Sequence, residues 1–211
     1  MKNDKQSVLT LAIESAILGG SLSLLSGEQE LDFWTGEDKV SRAEELLPNI
    51  IRILERQKID LKMIGRVAVS LGPGSFTGIR IGIATAHGLK DSLNIPCVGV
   101  SSLEAMAASV ATVERVIAAL PIGRDFICTQ VFEFRANGTP YAVSEPSVRK
   151  SILDDSPPAV VTLESIRETI TASRHDADVA SVDSNLARHI GIAATRGLGS
   201  EALEPLFVQP V

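Results

Sequence analysis

The sequence predicts an α/β protein, and three features of the chain support that fold class. Hydrophobic residues make up 45% of the 211 residues but aromatic residues only 4%, so Leu, Ile, Val and Ala must fill the core. Short apolar runs typical of buried strands alternate with longer stretches that have helical spacing. A glycine-rich turn joins one such strand directly to a helix. The length allows one domain or two lobes of ~100 residues each.

Three short apolar runs open the chain, at residues 8–13, 21–25 and 30–34. Runs of this length, bounded by glycine or polar residues, are typical of strands, so we expect an antiparallel meander. A helix is expected next, over residues 41–58, because Ser41 and Glu44 form a capping-box pattern ahead of an apolar stripe. The stripe consists of Leu46, Leu47, Ile50, Ile51 and Leu54.

The rest of the chain continues the alternation. Strands are expected at residues 66–71, 97–100, 115–120 and 126–134, and helices from the glycine-rich turn to residue 93 and at 103–110, where Ser101 or Ser102 is the cap. Asn137-Gly138 marks a hairpin turn, and residues 144–158, with three prolines, indicate a loop. Residues 159–163, a helix over 163–173 and residues 185–195 complete a weaker α/β pattern. Each half opens with strands and closes with helices, which is compatible with two related lobes.

The glycine-rich turn runs from Gly72 to Gly78, with the sequence GPGSFTG. Glycines allow a tight turn, and the free N–H groups at a helix start attract anions. Ser75 and Thr77 are candidates to cap those same N–H groups. The turn is neither a Walker loop, since no lysine follows its last glycine, nor a dinucleotide fingerprint. Two interpretations stay open, a phosphate-binding turn and a plain capped turn.

The helix after this turn has small residues at regular intervals. Gly78, Gly82 and Ala86 recur every four residues, and Ala84 and Gly88 form a second, adjoining stripe. Glycine costs about 1 kcal/mol in a helix interior, so the stripe indicates close approach by another element. That element is either the preceding helix of the same chain or a second subunit.

Residues 70–90, SLGPGSFTGIRIGIATAHGLK, resemble the signature of the TsaB (YeaZ) family of the Gcp-like, peptidase M22-like superfamily. In that signature, GPGSFTG is followed by an aliphatic residue, Arg, an aliphatic residue and Gly. Four other segments are similar to family motifs, at residues 12–16, 45–48, 98–103 and 204–208. The resemblance is strong over residues 8–105 and faint through the middle of the second half.

The resemblance implies a two-lobed actin-like, Hsp70-like and sugar-kinase-like (ribonuclease H-like) fold with a reduced second lobe. The lobes would span residues 1–107 and 108–211, and the last segment would return to the first lobe. It also implies a non-catalytic partner of the catalytic paralogue TsaD, which with the ATPase TsaE installs threonylcarbamoyl on adenosine 37 of certain tRNAs. The chain would form a homodimer when alone and would meet tRNA only through the complex.

In this family two N-lobe helices contact TsaD, which favours the subunit interpretation of the small-residue stripe. The candidate partner-binding residues are Arg42, Leu46, Ile50, Gly78, Ile79, Gly82, Ile83, Ala86, His87 and Lys90. The candidate anion- or nucleotide-binding turn consists of Glu14, Ser15, Gly72, Gly74, Ser75 and Thr77.

An ATP-dependent phosphotransferase of the same fold is the main alternative. Kinases of this class hold phosphates and magnesium with an early D-x-G-[ST] turn, where this chain has Glu14-Ser15-Ala16. The glycine is missing and the acid is longer by a methylene, so we favour an interaction protein over an enzyme. A peptidase is disfavoured because no G-x-S-x-G elbow surrounds Ser75.

No metal or cofactor is expected. The chain has only His87, His175 and His189, whereas the catalytic paralogue uses an H-x-x-x-H pair. We expect His87 to be packed or to face a partner, and the other two to lie near helix ends or at the surface.

A formal charge of −6 argues against direct tRNA binding, which needs a basic face. Cys97 and Cys128 lie in apolar runs and are expected to be buried thiols. With no signal-peptide pattern and no apolar run of membrane-spanning length, a cytoplasmic location is expected.

The segments Pro121–Arg124 and Phe207–Gln209 depart from the family pattern, which puts nucleotide or tRNA contacts of the second lobe in doubt.

Overall fold

The computed structural model describes residues 7–17, 19–36, 42–110, 114–123, 125–150, 159–173 and 177–208. The strands in chain order are β1 (Leu9–Glu14), β2 (Ser21–Ser26), β3 (Gln29–Thr35), β4 (Arg66–Ser70), β5 (Cys97–Val100), β6 (Arg115–Ile122), β7 (Phe126–Phe134), β8 (Pro140–Ala142), β9 (Ser147–Arg149), β10 (Ala159–Leu163) and β11 (Asp178–Val182). The helices are α1 (Arg42–Gln57), α2 (Phe76–Leu93), α3 (Ser102–Ala107), α4 (Glu164–Ser173) and α5 (Leu186–Thr195), with a 3-10 turn at Leu61–Met63.

The first sheet has the order β3-β2-β1-β4-β5. The meander β1-β2-β3 is antiparallel, as the short turns require, while β4 and β5 are parallel to β1. Parallel neighbours need a crossover, which α1 and α2 supply. The predicted meander and the crossover helices are therefore confirmed.

The second sheet repeats this arrangement, with the order β11-β10-β6-β7-β8 and β9 paired to β7. Its first three strands are antiparallel, and β10 and β11 are parallel to β6. Two sheets of one topology in one chain confirm the α/β fold with two related lobes. The reduction of the second lobe concerns its helices, since in the described residues α4 alone packs on its outer face whereas α1 and α2 cover that of the first.

Each face of the first sheet has its own helices, because side chains alternate along a strand. Leu11 and Ile13 pack under α1 and α2, while Ala12 packs on the opposite face against α5. The helix α5 follows the second sheet in the chain but lies on the first, and α3 follows the first but lies on the second. This exchange joins the two lobes, and the boundary between residues 107 and 108 stays a prediction.

Three local expectations differ from the structure. The expected loop at 144–158 contains β9, in which Val148 pairs with Cys128 of β7 and is buried in the core of the second sheet. The expected helix at 103–110 ends at Ala107, and the hydroxyl of its N-cap residue Ser101 makes no capping hydrogen bond. The strand β11 carried too few apolar residues in a row to be predicted.

Among the described helices, none combines the length and the apolar character that a membrane span requires.

Candidate functional site at the start of helix α2

The glycine-rich turn takes its shape from Gly72 and Gly74, whose φ values are 100° and 152°. Both lie where side chains with a Cβ are strained. Ser75 ends the turn as the N-cap of α2, and its Oγ accepts the Gly78 N–H at 3.2 Å. Thr77 is already inside the helix with an exposed side chain, so its predicted role as a cap is wrong.

A second turn, at residues 14–17, faces the first. Glu14 is buried, and its Oε1 accepts the N–H groups of Ala16 and Ile17 at 2.6 and 2.9 Å. A carboxylate that accepts two backbone donors stabilises its own turn. The Oε1 atom of Glu14 is thus engaged by the backbone of its own turn.

The two turns are in direct contact. The Ser75 N–H donates to the Ala16 carbonyl at 2.8 Å, and the Ser15 hydroxyl donates to the Gly78 carbonyl at 2.7 Å. A Cβ on Gly74 would lie 2.6 Å from the Ala16 oxygen. The six residues predicted for an anion-binding turn are therefore brought together, Thr77 at their edge, but the Glu14, Ser15 and Ser75 atoms named above already hydrogen-bond to neighbouring residues of the two turns.

The small-residue stripe of α2 faces inward, and its predicted role in a subunit interface is wrong. A Cβ on Gly78 would collide with the Ser15 carbonyl oxygen, and one on Gly82 with the Ser15 hydroxyl. Ala86 is fully buried in the core under α1 and α2. The element that approaches this stripe is the turn after β1 of the same chain.

Three other predicted partner-binding residues are also inaccessible. Leu46, Ile50 and Ile79 are buried in the chain's own interior. Of the remaining four, His87 is exposed, Ile83 and Lys90 are half-buried, and the side chain of Arg42 lies outside the described residues.

The exposed surface of α1 and α2 carries a different set of residues. Leu47 and Ile51 are 54% and 55% exposed, and Ala84, His87 and Gly88 are exposed on α2. A Cβ on Gly88 would meet nothing within 4 Å. We call these five residues the outer helical face. Ala84 and Gly88 formed the second small-residue stripe of the sequence, whereas Leu47 and Ile51 belonged to the predicted apolar stripe of α1.

A signal for Leu47 and Ile51 was present in the sequence. The apolar residues of α1 come as adjacent pairs, Leu46-Leu47 and Ile50-Ile51. Neighbouring positions point about 100° apart on a helix, so one face cannot fully bury both members of a pair. The second member of each pair is left at the surface.

The histidines and cysteines within the described ranges form no reactive cluster. His87 is on the outer helical face, and His175 lies outside the described residues. His189 was expected at the surface but is half-buried, and removal from water lowers the pKa of its imidazole. Burial raises the pKa of the Cys97 thiol to about 11 and that of Cys128 to about 12. Within the described residues no three His, Cys, Asp or Glu side chains are placed to hold a metal ion.

A cavity of about 650 Å³ lies elsewhere, between α3, α5 and the β10–β11 side of the second sheet. His189, Arg188, Asp178 and Asp183 line it together with small apolar side chains. Both charge signs are present, so the wall selects no single class of ligand, and none of the predicted site residues reaches it.

Comparison with known proteins shows similarity to a group of tRNA-modification proteins. A family model described as "TsaD: tRNA N6-adenosine threonylcarbamoyltransferase" matches residues 39–130. The tRNA threonylcarbamoyladenosine biosynthesis protein TsaB of Buchnera aphidicola subsp. Schizaphis graminum is 49% identical over 63 residues, 30% of each chain. TsaB of Buchnera aphidicola subsp. Acyrthosiphon pisum is 36% identical over 101 residues, 48% of this chain and 45% of that protein.

A solved structure, YeaZ from Pseudomonas aeruginosa, has a similar fold over nearly the whole chain. The TM-score is 0.67 at 21% identity, and the match covers 94% of this chain and 99% of that one. The chain is similar to the TsaB (YeaZ) family over the matched segments and has a fold similar to that of YeaZ. It spans less than half the length of the two Buchnera TsaB proteins in the sequence matches, so the likeness of the second lobe is one of fold.

Proposed function

We propose that this chain is a non-catalytic partner of a TsaD-like subunit in the formation of N6-threonylcarbamoyladenosine at position 37 of tRNA. It would stabilise or activate that subunit in the cytoplasm, together with a TsaE-like ATPase, and meet tRNA only through the complex. The names of the TsaB relatives, which are threonylcarbamoyladenosine biosynthesis proteins, support the pathway.

The outer helical face is the observation that carries the partner role. Leu47 and Ile51 are one helical turn apart and each leaves more than half of its surface in water. Burying a fully exposed side chain of this size is worth about 1.5–3 kcal/mol, and about half of that remains to be gained at each of these half-exposed positions, so this pair favours association. On α2, Ala84 and Gly88 present little side chain, which lets another helix approach closely. The same face would serve the homodimer when TsaD is absent.

The contact between the two turns supports a role without catalysis. A phosphotransferase needs space and free donors between the turn after β1 and the turn before α2. Here the Ser75 N–H to Ala16 carbonyl bond spans that space, and Glu14 Oε1 is occupied by two N–H groups. Ser75 acts as a helix cap, and His87 lies twelve positions along α2, about 18 Å away at 1.5 Å per residue. This disfavours the phosphotransferase and peptidase alternatives.

The first prediction concerns binding to TsaD. Leu47→Asp and Ile51→Asp place a charge where an apolar contact is proposed, and we expect each to weaken the affinity for the cognate TsaD at least about tenfold. Both positions are exposed, so the fold should persist, which circular dichroism and the melting temperature check. Calorimetric titration of the chain into TsaD gives the dissociation constants.

Val143→Asp is the matched control. Val143 is also an exposed aliphatic residue, but it lies beside β7 of the second sheet, away from α1 and α2. It should bind TsaD like the unmodified chain. Equal affinity of the Leu47→Asp, Ile51→Asp and Val143→Asp chains would show that the outer helical face is not the docking surface.

A further inference from the structure

Two exposed phenylalanines and an arginine form a cluster where the C-terminal segment meets α2. Phe76, the first residue of α2, is 51% exposed, and Phe207 is 44% exposed. Their ring centroids are 4.7 Å apart with the planes tilted by 36°. The guanidinium carbon of Arg80 lies 3.8 Å from the centroid of Phe76 and 6.0 Å from that of Phe207. We call these three residues the aromatic cluster.

The backbone of residues 198–208, the C-terminal strap, holds Phe207 in place. Ser200 and Gly99 exchange two backbone hydrogen bonds at 2.8 and 2.9 Å, which fixes the strap to the edge strand β5. The Leu206 N–H donates to the Leu71 carbonyl at 2.7 Å, one residue before Phe207. The position of Phe207 beside α2 is thus set by the fold.

The cluster is placed at the end of the outer helical face. Phe76, Arg80 and His87 are separated by four and seven residues, close to one and two helical turns, so they lie on one side of α2. All three are exposed, and Ala84 and Gly88 adjoin this side. The aromatic cluster and the outer helical face therefore share one exposed side of this helix.

The chemistry of the cluster indicates what could cover it. Aromatic and arginine side chains are the residue types that dominate binding energy at protein interfaces. The Arg80 guanidinium lies over the Phe76 ring. The N–H groups at the edge of the guanidinium are left for other contacts. Across the described ranges no carboxylate lies within ion-pair distance of Arg80. A covering surface must therefore supply one, since a guanidinium buried without a partner is costly.

We infer that the aromatic cluster anchors the partner interface, and that the partner presents a carboxylate to Arg80 and apolar side chains to the two rings. This inference rests on the proposed docking of a TsaD-like subunit and names the chemistry of the contact. Base stacking of RNA on the rings is less favourable, because the strap also carries exposed Glu201 and Glu204 and the chain has a formal charge of −6.

Affinity measurements on two variants test the anchor. Phe207→Ala removes a ring and Arg80→Gln removes the charge while keeping a polar side chain, and each should weaken binding to the cognate TsaD about tenfold or more. Phe33→Ala is the control, because Phe33 is a comparably exposed phenylalanine on the edge strand β3. That strand is three places from β4, on which α2 packs, or about 14 Å at 4.8 Å per strand.

Cross-linking tests the carboxylate directly. A water-soluble carbodiimide joins a carboxylate to a lysine amine in contact with it by an amide bond and leaves arginine unreacted. The Arg80→Lys chain mixed with TsaD should therefore give a cross-linked peptide containing position 80, identified by mass spectrometry. The unmodified chain should give none at that position.

The outcomes separate this inference from the proposed function. If the unmodified chain does not bind TsaD, the proposed function fails and the inference with it. If Leu47→Asp weakens binding but Phe207→Ala and Arg80→Gln do not, and the Arg80→Lys chain gives no cross-link, the docking stands and the anchor is refuted. If Phe207→Ala instead reduces binding of the isolated chain to fluorescent tRNA and leaves TsaD binding intact, the cluster is an RNA contact.

Discussion

Two glycines of α2 allow the helix to lie directly on the turn that follows the first strand. A Cβ at Gly78 would collide with the Ser15 carbonyl oxygen, and one at Gly82 would reach the Ser15 hydroxyl. Backbone atoms cannot move aside as the end of a flexible side chain can. The close contact fixes the path of the chain from Ser15 to Ile17. It thereby also fixes the position of Ser75, whose N–H donates to the Ala16 carbonyl.

The opposite environments of Gly78 and Gly88 give a prediction at the residue scale. Gly78→Ala should lower the free energy of unfolding, because an overpacking cost of about 1–3 kcal/mol exceeds the gain in helix propensity of about 1 kcal/mol. Gly88→Ala meets open space and should raise it by roughly 0.5–1 kcal/mol. Urea denaturation of both variants measures the difference, and shifts of the same sign would contradict the packing described.

The sequence predicted the residues of this site better than their orientation. The four-residue spacing of Gly78, Gly82 and Ala86 correctly indicated close approach by another element. Spacing does not reveal whether that element belongs to the same chain, because small residues serve both kinds of contact. The residue that approaches the stripe is Ser15, which is 63 positions in sequence from Gly78, whose carbonyl it contacts. Local sequence patterns cannot predict a contact between residues so far apart in the chain.

At the scale of elements, a bidentate ion pair fastens α1 to the edge of the first sheet. The Arg56 Nε and Nη2 atoms donate to the two carboxylate oxygens of Asp32 at 2.8 Å each, and Nη2 also reaches the Phe33 carbonyl at 3.1 Å. The hydrogen bonds from Arg56 lower the pKa of the Asp32 carboxyl below its ordinary value, against the opposing effect of burial. The pair holds the C-terminal turn of α1 on β3.

This pair gives a pH-dependent prediction. Because the pKa of Asp32 is lower in the folded state, its contribution is present above the unfolded value of about 3.9 and is lost as the pH falls through the folded value. Arg56→Gln should therefore lower stability by up to about 1 kcal/mol at neutral pH, as is usual for exposed pairs. The difference from the unmodified chain should shrink as the pH falls below about 4.

Arg52→Gln is the control for that measurement, because it removes the same charge from α1 but the Arg52 guanidinium donates to the Asn49 side chain, which is uncharged. Thermal denaturation of the three chains across the acid range makes the comparison. A stability difference for Arg56→Gln that persists unchanged at the lowest pH would exclude the ion pair as its cause.

Most helices and strands could be predicted from the hydrophobic periodicity of the sequence, because their apolar patterns are long. The helix α2 and the strands β5 and β7 have the expected ends. The strand β9 was missed because it has only three residues and directly follows Pro146, and its pairing with β7 depends on the burial of Val148. In β11 only Val179 and Val182 are buried, too few for a strand pattern to stand out.

At the scale of the molecule, the two sheets share one strand order, and two helices cross between them. The helix α5 packs on the first sheet, where the Ala187 N–H donates to the Ser21 hydroxyl oxygen at 3.0 Å. Its N-cap residue Asn185 also donates to Glu30 at 2.8 Å. These contacts link residues more than 150 positions apart, so the lobes form one body through α3 and α5.

The family resemblance supplied what periodicity could not. The motif at residues 70–90 resembles the TsaB (YeaZ) signature and so predicted the two-lobed fold, although the two halves show no sequence repeat. It pointed to two helices as docking elements, which stays a prediction, and it could not assign their exposed sides. The outer helical face and the aromatic cluster emerged only once burial was known for each side chain.

The most direct test of the account is reconstitution of tRNA modification from purified components. The cognate TsaD, a TsaE-like ATPase, unmodified tRNA and preformed threonylcarbamoyl donor are combined with or without this chain, and threonylcarbamoyladenosine is measured by mass spectrometry of nucleosides. We predict little product without the chain, abundant product with it, and none from the chain without TsaD, while Leu47→Asp reduces the yield and Val143→Asp does not. Product formed by the chain alone, or full activity of TsaD in its absence, would contradict the role of a non-catalytic activating partner.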